Sequence, residues 1–181
     1  MTRIIAGQWR GRALTTPAGT KTRPTSVRLR QAIFDMLAHA PWAGKRLLPG
    51  AIVLDLFAGT GAMGLEALSR GGATAEFYES DPAARHALLA NINACAAASL
   101  ARLFPDALRP APGPPATLVF LDPPYGSGLT PPSLTALGAA GRLSATTLIV
   151  AEGARADPSP VATPLAERTH GAARVLFFHP L

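Results

Sequence analysis

Apolar runs broken by glycine and proline set the plan of this chain. Ala51–Phe57, interrupted only by Asp55, and the fully apolar Thr117–Leu121 have the pattern of buried strands, and Thr74–Tyr78 reads as another. Between the first and the last of these in sequence, Ala62–Arg70 is helical in pattern and is stopped by Gly71-Gly72. Asp81 stands where a helix N-cap belongs, Pro82 takes the first helical position, and Leu88, Ile92 and Cys95 follow on one face. Ala101–Phe104 and Val161–Leu165 are weaker strand candidates; Thr147–Ala151 and Arg174–Phe178 are firmer ones, and a helix is expected after Pro131. Nearer the start, Ile4–Ala6 and Arg12–Thr15 flank Gly7 and Gly11 as a short hairpin. Pro24 precedes Thr25 and Ser26, either of which can cap a helix whose apolar face is Leu29, Ile33, Met36 and Leu37, with Arg28 and Gln31 turned away. Strands alternating with helices predict an α/β fold with a mostly parallel sheet, in which ligands bind beyond the carboxyl ends of the strands at the switch point.

Composition narrows the class. At 181 residues the chain has room for one such domain, and 48% hydrophobic against 15% charged residues predicts a globular fold. No apolar run approaches the roughly 20 residues of a transmembrane helix, and the start, Met1-Thr2-Arg3-Ile4-Ile5, has too short an apolar stretch for a secretory signal. A lone cysteine, Cys95, excludes an internal disulfide and a thiolate metal site. A cytoplasmic monomer without metal or membrane contact is the expectation. Charge adds a partner. Residues 1–46 carry nine Lys/Arg against the single acid Asp35, a balance of +8 within a total of +6, leaving −2 for the rest. A basic extension on a near-neutral domain suits a polyanion such as nucleic acid; Arg3, Arg10, Arg12, Arg23, Arg28 and Arg30 are the candidate phosphate contacts. The domain proper then runs from 47 to 181, with the proline-rich stretch Arg109–Ala116 as its clearest turn or linker.

The strongest local motif is V-L-D-L-F-A-G-T-G-A-M-G, residues 53–64. A strand ends in Asp55, and Gly59, Gly61 and Gly64 make the turn into the next helix, where backbone amides can approach a ligand closely. Glu79, at the end of the second strand, is placed to accept hydrogen bonds from both hydroxyls of an adenosine ribose. Such geometry fits a nicotinamide dinucleotide or S-adenosylmethionine. Asp55 favours the latter, because a carboxylate in the loop suits an amino group and a sulfonium but repels a pyrophosphate. Gly64 serves helix–strand packing as readily as ligand contact.

V-F-L-D-P-P-Y, residues 119–125, ends an apolar strand in a stiff turn whose two prolines cannot donate hydrogen bonds. Asp122 and the Pro123 carbonyl then stand as two acceptors, Pro124 stiffens the turn, and Tyr125 offers an aromatic plate. That set suits an exocyclic amine, whose lone pair is delocalised into its ring; acceptors on its N–H groups favour the pyramidal nitrogen of a methyl-transfer transition state. Tyr125 can stack on a flipped-out base.

With R-I-I-A-G-Q-W-R-G-R at 3–12, T-R-P-T-S at 22–26, L-D-L-F-A-G-T-G-A-M-G-L-E-A-L-S-R-G at 54–71 and L-D-P-P-Y at 121–125, the chain resembles the bacterial 16S rRNA (guanine(966)-N2)-methyltransferase family over nearly its whole length. The resemblance implies a Rossmann-like class I methyltransferase with a seven-stranded sheet closed by an antiparallel last strand, S-adenosylmethionine as cofactor, and 16S rRNA of the small ribosomal subunit as substrate. It places Asp55, Gly59 and Gly61 at the methionine part, Glu79 at the ribose and Asp106 at the adenine amine, with Phe57, Ala58 and Ser80 beside them; Asp122, Pro123 and Tyr125 would hold guanine. Where similar proteins read T-S-D-R-V-R-E, this chain has Thr25-Ser26-Val27-Arg28-Leu29-Arg30-Gln31, without the two acids that favour a helix start. Rival readings are an adenine-N6 or cytosine-N4 methyltransferase acting on DNA, an NAD-dependent oxidoreductase, and a non-catalytic RNA-binding assembly factor. His39, His86, His170 and His179 lie outside both motifs and are expected on the surface.

Overall fold

The computed structural model describes residues 2–17, 26–43, 47–160 and 163–180. An antiparallel hairpin of β1 (Thr2–Arg3) and β2 (Ala13–Leu14) precedes α1 (Val27–His39) and a short 3-10 turn, Pro41–Ala43. Then β3 (Ile52–Leu56), α2 (Ala62–Ser69), β4 (Thr74–Tyr78), α3 (Pro82–Ala94), β5 (Ala101–Phe104), β6 (Leu118–Leu121), α4 (Thr130–Ala139) and β7 (Leu148–Ala154) alternate, and β8 (Ala166–His170) and β9 (Ala173–Phe178) close the chain. Among the described residues the main sheet runs β5-β4-β3-β6-β7-β9-β8, parallel except for β9, which pairs antiparallel with β7 and β8.

Local chemistry explains the helix starts. Ser26 accepts the Leu29 amide at 3.1 Å and Asp81 accepts that of Ala84 at 2.7 Å, with Pro82 in the first turn. The sheet has one core on each face. Ile33 and Phe34 of α1, Leu65 and Leu68 of α2 and Leu88 of α3 pack with Val53, Phe77 and Phe120 on one side; Leu54, Val119, Ile149 and Leu176 pack with Leu137 of α4 on the other. Ile4 and Leu14 of the hairpin belong to the first core, so the basic extension shares its interior with the sheet.

One expected strand shifts. The hairpin's first strand is Thr2–Arg3 rather than Ile4–Ala6, because the Ile5 and Ala6 amides turn away from the ladder and donate to the Glu66 carboxylate at 2.7 and 3.0 Å. Of the weak strand expected at Val161–Leu165, Val161 and Ala162 lie outside the described residues; β8 at Ala166–His170 is a polar, mostly exposed edge strand joined to β9 by a turn through Gly171. Edge strands expose one row of side chains and of backbone groups, so their pattern is too polar to stand out in sequence.

The order of strands reverses between β3 and β6. From β3 the chain moves outward through β4 and β5, then returns to β6 and continues to β7. The carboxyl ends of β3 and β6 therefore lie side by side with no crossover helix above them, which opens a crevice there.

Candidate active site

Both motifs meet at that crevice. Asp55 and Leu56 end β3 opposite Phe120 and Leu121 of β6, and the Asp122 amide reaches the Leu56 carbonyl at 3.4 Å. The Asp122 turn thus leaves the sheet beside the glycine loop. Phe57 opens that loop with φ 61°, a left-handed conformation that costs a non-glycine residue about 1–3 kcal/mol and that is held here by the Ala58 amide on the Tyr78 carbonyl at 3.0 Å. The Gly59 amide donates to Glu79 Oε2 at 2.7 Å, and the Asp81 amide to Oε1 at 2.8 Å. Glu79 therefore stitches the loop after β3 to the end of β4. Each of its oxygens keeps acceptor capacity for a further donor.

Asp55 is sealed from solvent, and its Oδ2 accepts the Gly64 amide at 2.8 Å. Burial is the main cause that pushes its carboxyl up to about 8; the Gly64 hydrogen bond opposes the rise, and Asp122 and Glu79 add to it. The two later glycines are packing positions. A Cβ on Gly64 would come within 2.4 Å of Phe77, and one on Gly61, at φ 75°, within 2.3 Å of Leu88. Gly59, at φ 55°, has open space where its Cβ would be.

Beyond the loop, Phe57, Ser80 and Asp106 line a cleft of about 190 Å³ with Tyr78, Ala107, Leu108 and Leu129. Asp106 holds the Leu108 amide at 2.8 Å, which folds the segment after β5 into the cleft's outer wall. That segment is anchored from below: Arg142, fully buried, lies 3.1 Å from Glu76 and donates to the Ala111 carbonyl, and the Tyr78 hydroxyl donates to Glu76 at 2.9 Å. Across the crevice Pro123 is buried, Pro124 is exposed, and Tyr125 is 53% exposed with its hydroxyl on Glu152 Oε1 at 3.0 Å. Asp55, Gly59, Glu79 and Asp122 are thus gathered at the ends of β3, β4 and β6, with Phe57, Ser80 and Asp106 along one wall.

The arginines divide. Arg3, Arg10, Arg12 and Arg28 are exposed, although Arg12 donates through Nη1 to the Ala94 carbonyl at the end of α3. Arg23, with Lys21, Lys45 and Arg46, lies outside the described residues. Arg30 corrects the expectation of a phosphate contact. It is fully buried on the α1 face shared with Ile33, Phe34 and Leu37, and it donates to the Arg3 carbonyl. Burial lowers its pKa, nearby Glu66 opposes that shift, and Arg70 reinforces it. A guanidinium so enclosed meets no phosphate. Of the histidines, His39, His86 and His170 are exposed, whereas His179 is half-buried with Nδ1 2.9 Å from the Thr147 carbonyl oxygen.

Three residues whose contacts only the fold creates are not singled out by the sequence. Glu66, inside an apolar helix, anchors the hairpin; its only signal is an acid amid Ala-Met-Gly-Leu and Ala-Leu. Asn91 on α3 joins Thr15 to the loop, giving Nδ2 hydrogens to the Thr15 and Thr60 carbonyls. Glu152 gives no local signal at all. Among the described residues no group of three His, Cys, Asp or Glu side chains is placed to hold a metal ion, and no helix is long and apolar enough to cross a membrane.

Comparison with known proteins gives the family and the fold. The family described as conserved hypothetical protein 95 matches residues 2–179. Ribosomal RNA small subunit methyltransferase D of Escherichia coli is 38% identical over 152 residues, 83% of this chain and 73% of that protein. Its Haemophilus influenzae namesake is 33% identical over 141 residues, 75% and 69% of the two chains. The solved yhhF protein of Escherichia coli superposes with a TM-score of 0.83 at 35% identity, over 97% of this chain and 96% of that one. At 18% identity, an RNA methyltransferase from Salinibacter ruber, solved with S-adenosylhomocysteine, shares the fold alone, with a TM-score of 0.60 over 86% and 92% of the chains. The fold is that of the class I S-adenosylmethionine-dependent methyltransferases.

Proposed function

The chain belongs to the conserved hypothetical protein 95 family, and from that membership we propose that it transfers a methyl group from S-adenosylmethionine to the exocyclic N2 of a guanine in small-subunit ribosomal RNA. Guanine 966, for which the resembled family is named, is the proposed target. One observation carries the reading. The two-acceptor turn at Asp122 leaves β6 beside the glycine loop that follows β3, with the Asp122 amide on the Leu56 carbonyl, so a planar amine held by one is delivered to a cofactor held by the other.

The residues present fit the cofactor. Glu79 has acceptor capacity left for ribose hydroxyls, the cleft of Phe57, Ser80 and Asp106 accepts a flat purine, and buried Asp55 suits a cationic amino group. Bound there, the cofactor supplies an electrophilic methyl group. Asp122 and the Pro123 carbonyl take the N–H hydrogens of the target amine, which withdraws its lone pair from the ring and directs it outward. Tyr125, exposed at the mouth, stacks on the base. Exposed Arg3, Arg10, Arg12 and Arg28 hold RNA phosphates.

The test is transfer from methyl-labelled S-adenosylmethionine to small-subunit rRNA, free or in subunits, prepared from cells lacking this protein, followed by nucleoside mass spectrometry. N2-methylguanosine at one site is expected. N6-methyladenosine or N4-methylcytosine overturns the choice of base, and label confined to DNA overturns the substrate class.

A further inference from the structure

The turn at Asp122 serves any planar amine, so something else must select guanine. We infer that Glu152 is the specificity-determining residue, its carboxylate accepting the N1–H of the target guanine; this rests on the guanine-N2 reading above. Leu121 of β6 pairs with Ala151 of β7, so Asp122 and Glu152 are each one residue beyond a paired position, on neighbouring strands at the same end of the sheet. Tyr125 completes the group, its hydroxyl donating to Glu152 Oε1 at 3.0 Å. The acceptor for the amine, the aromatic plate and this second carboxylate therefore gather at one end of neighbouring strands.

Glu152 is firmly held. β7 is an interior strand, paired with β6 on one side and β9 on the other, where Glu152 lies opposite Val175. A reading group on such a strand does not yield to accommodate a wrong base. The Tyr125 hydrogen bond orients the carboxylate further.

Base chemistry supplies the selection. Guanine presents two donors side by side on its Watson–Crick edge, N1–H and the N2 amine. Adenine and cytosine place a bare ring nitrogen, an acceptor, next to their amines. With the amine held by Asp122 and the Pro123 carbonyl, a neighbouring carboxylate gains a hydrogen bond from guanine and faces lone pair against lone pair with the other two. Repulsion of the wrong base contributes as much as attraction of the right one.

2-Aminopurine probes this contact, because it keeps the exocyclic N2 amine but has an unprotonated N1; it also lacks O6, so the comparison with Glu152→Gln is what assigns the effect to N1. Small-subunit rRNA ligated from two fragments, carrying guanosine or 2-aminopurine at the methylated position, serves as substrate for wild type, Glu152→Gln and Tyr125→Phe. Wild type is expected to prefer guanosine by roughly ten- to a hundredfold in kcat/KM, the scale of one well-placed base contact. Glu152→Gln, whose amide can donate to a bare N1, should lose or invert that preference with the KM for S-adenosylmethionine unchanged. Tyr125→Phe, which removes only the hydroxyl, should slow both substrates and keep the preference. Equal wild-type rates on the two bases, or a Glu152→Gln enzyme that is slower but still prefers guanosine, would mean that Glu152 merely supports Tyr125. Methylation by wild type of adenine or cytosine in the natural rRNA overturns the function proposed above, whereas N2-methylguanosine formation with an unaltered preference in Glu152→Gln overturns this inference alone.

Discussion

Asp55 and Gly64, nine residues apart, close the glycine loop on itself through a 2.8 Å hydrogen bond from the Gly64 amide to a carboxylate sealed from water. Burial pushes the Asp55 carboxyl up to about 8 from an ordinary value of 3.8. The folded protein therefore binds this proton more tightly than the unfolded chain does. The stability that Asp55 contributes is fully present below about pH 4 and is lost as pH rises through about 8. Thermal melts of wild type should fall across that window, and those of Asp55→Asn, which keeps the acceptor without the charge, should fall less. A cationic amino group in the site favours the ionised form. Cofactor binding near pH 7 should then release a proton, read by calorimetry in buffers of different ionisation enthalpy; a heat independent of buffer would mean that binding leaves the protonation of Asp55 unchanged.

Asp122→Ala should abolish most methyl transfer. Loss of one preorganised contact to the changing amine raises the barrier by about 2.7–4 kcal/mol. Cofactor affinity, measured by calorimetry, should stay near that of wild type, and an equal loss of affinity would assign Asp122 to the cofactor instead.

Replacing Glu79 has two consequences. Its carboxylate accepts the part-buried Gly59 amide and the exposed Asp81 amide, so Glu79→Ala should destabilise the free protein by about 0.5–1.5 kcal/mol, chiefly through the Gly59 bond, since water can replace the carboxylate at Asp81. Separately, the rise in melting temperature with S-adenosylmethionine should largely vanish when each protein is compared with its own baseline. A variant that melts lower but gains the full wild-type shift would show that Glu79 shapes the loop without touching the ligand.

Glu66 is a structural anchor. Fully buried, it accepts the Ile5 and Ala6 amides and pairs with Arg70 at 2.8 Å. Removing one partner from a buried charge group costs about 3–5 kcal/mol, so Glu66→Ala should show that loss in denaturant unfolding. Faster hydrogen exchange at the Ile5 and Ala6 amides should accompany it. A loss below about 1 kcal/mol, small for a buried charge, would mean that Ile4, Leu14 and the bonds from Arg30 and Ser69 keep the hairpin docked without Glu66.

Arg10 and Arg12 should behave differently. Arg10→Ala should lower the log–log salt slope of RNA binding by roughly 0.7–0.9 with an unchanged melt. Arg12 donates to the Ala94 carbonyl at the end of α3, so Arg12→Ala should also reduce stability, by about 0.3–1 kcal/mol for a cation at a helix C-terminus. Filter binding across a salt series, with a melt of each variant, separates the two. An unchanged slope in Arg10→Ala would remove it from the RNA surface.

Much of the fold was legible from the chain because its signals are local. Asp81-Pro82, Gly71-Gly72 and the apolar run at Thr117–Leu121 mark a helix start, a helix stop and a buried strand through their own backbone preferences and desolvation. The glycine loop with Asp55, and the turn at Asp122, are equally local, and each implies its chemistry before any partner is known. What tertiary structure decided involves contacts between distant residues. Arg30 reads as one more surface cation until the fold sets Glu66 near it and the Arg3 carbonyl on it, making burial tolerable. Glu152 reads as an isolated acid until the register of β6 and β7 puts it beside Asp122 and Tyr125. A residue's type and immediate neighbours fix its dihedral preferences and its cost of desolvation, but only the assembled sheet determines which charge lies across from it.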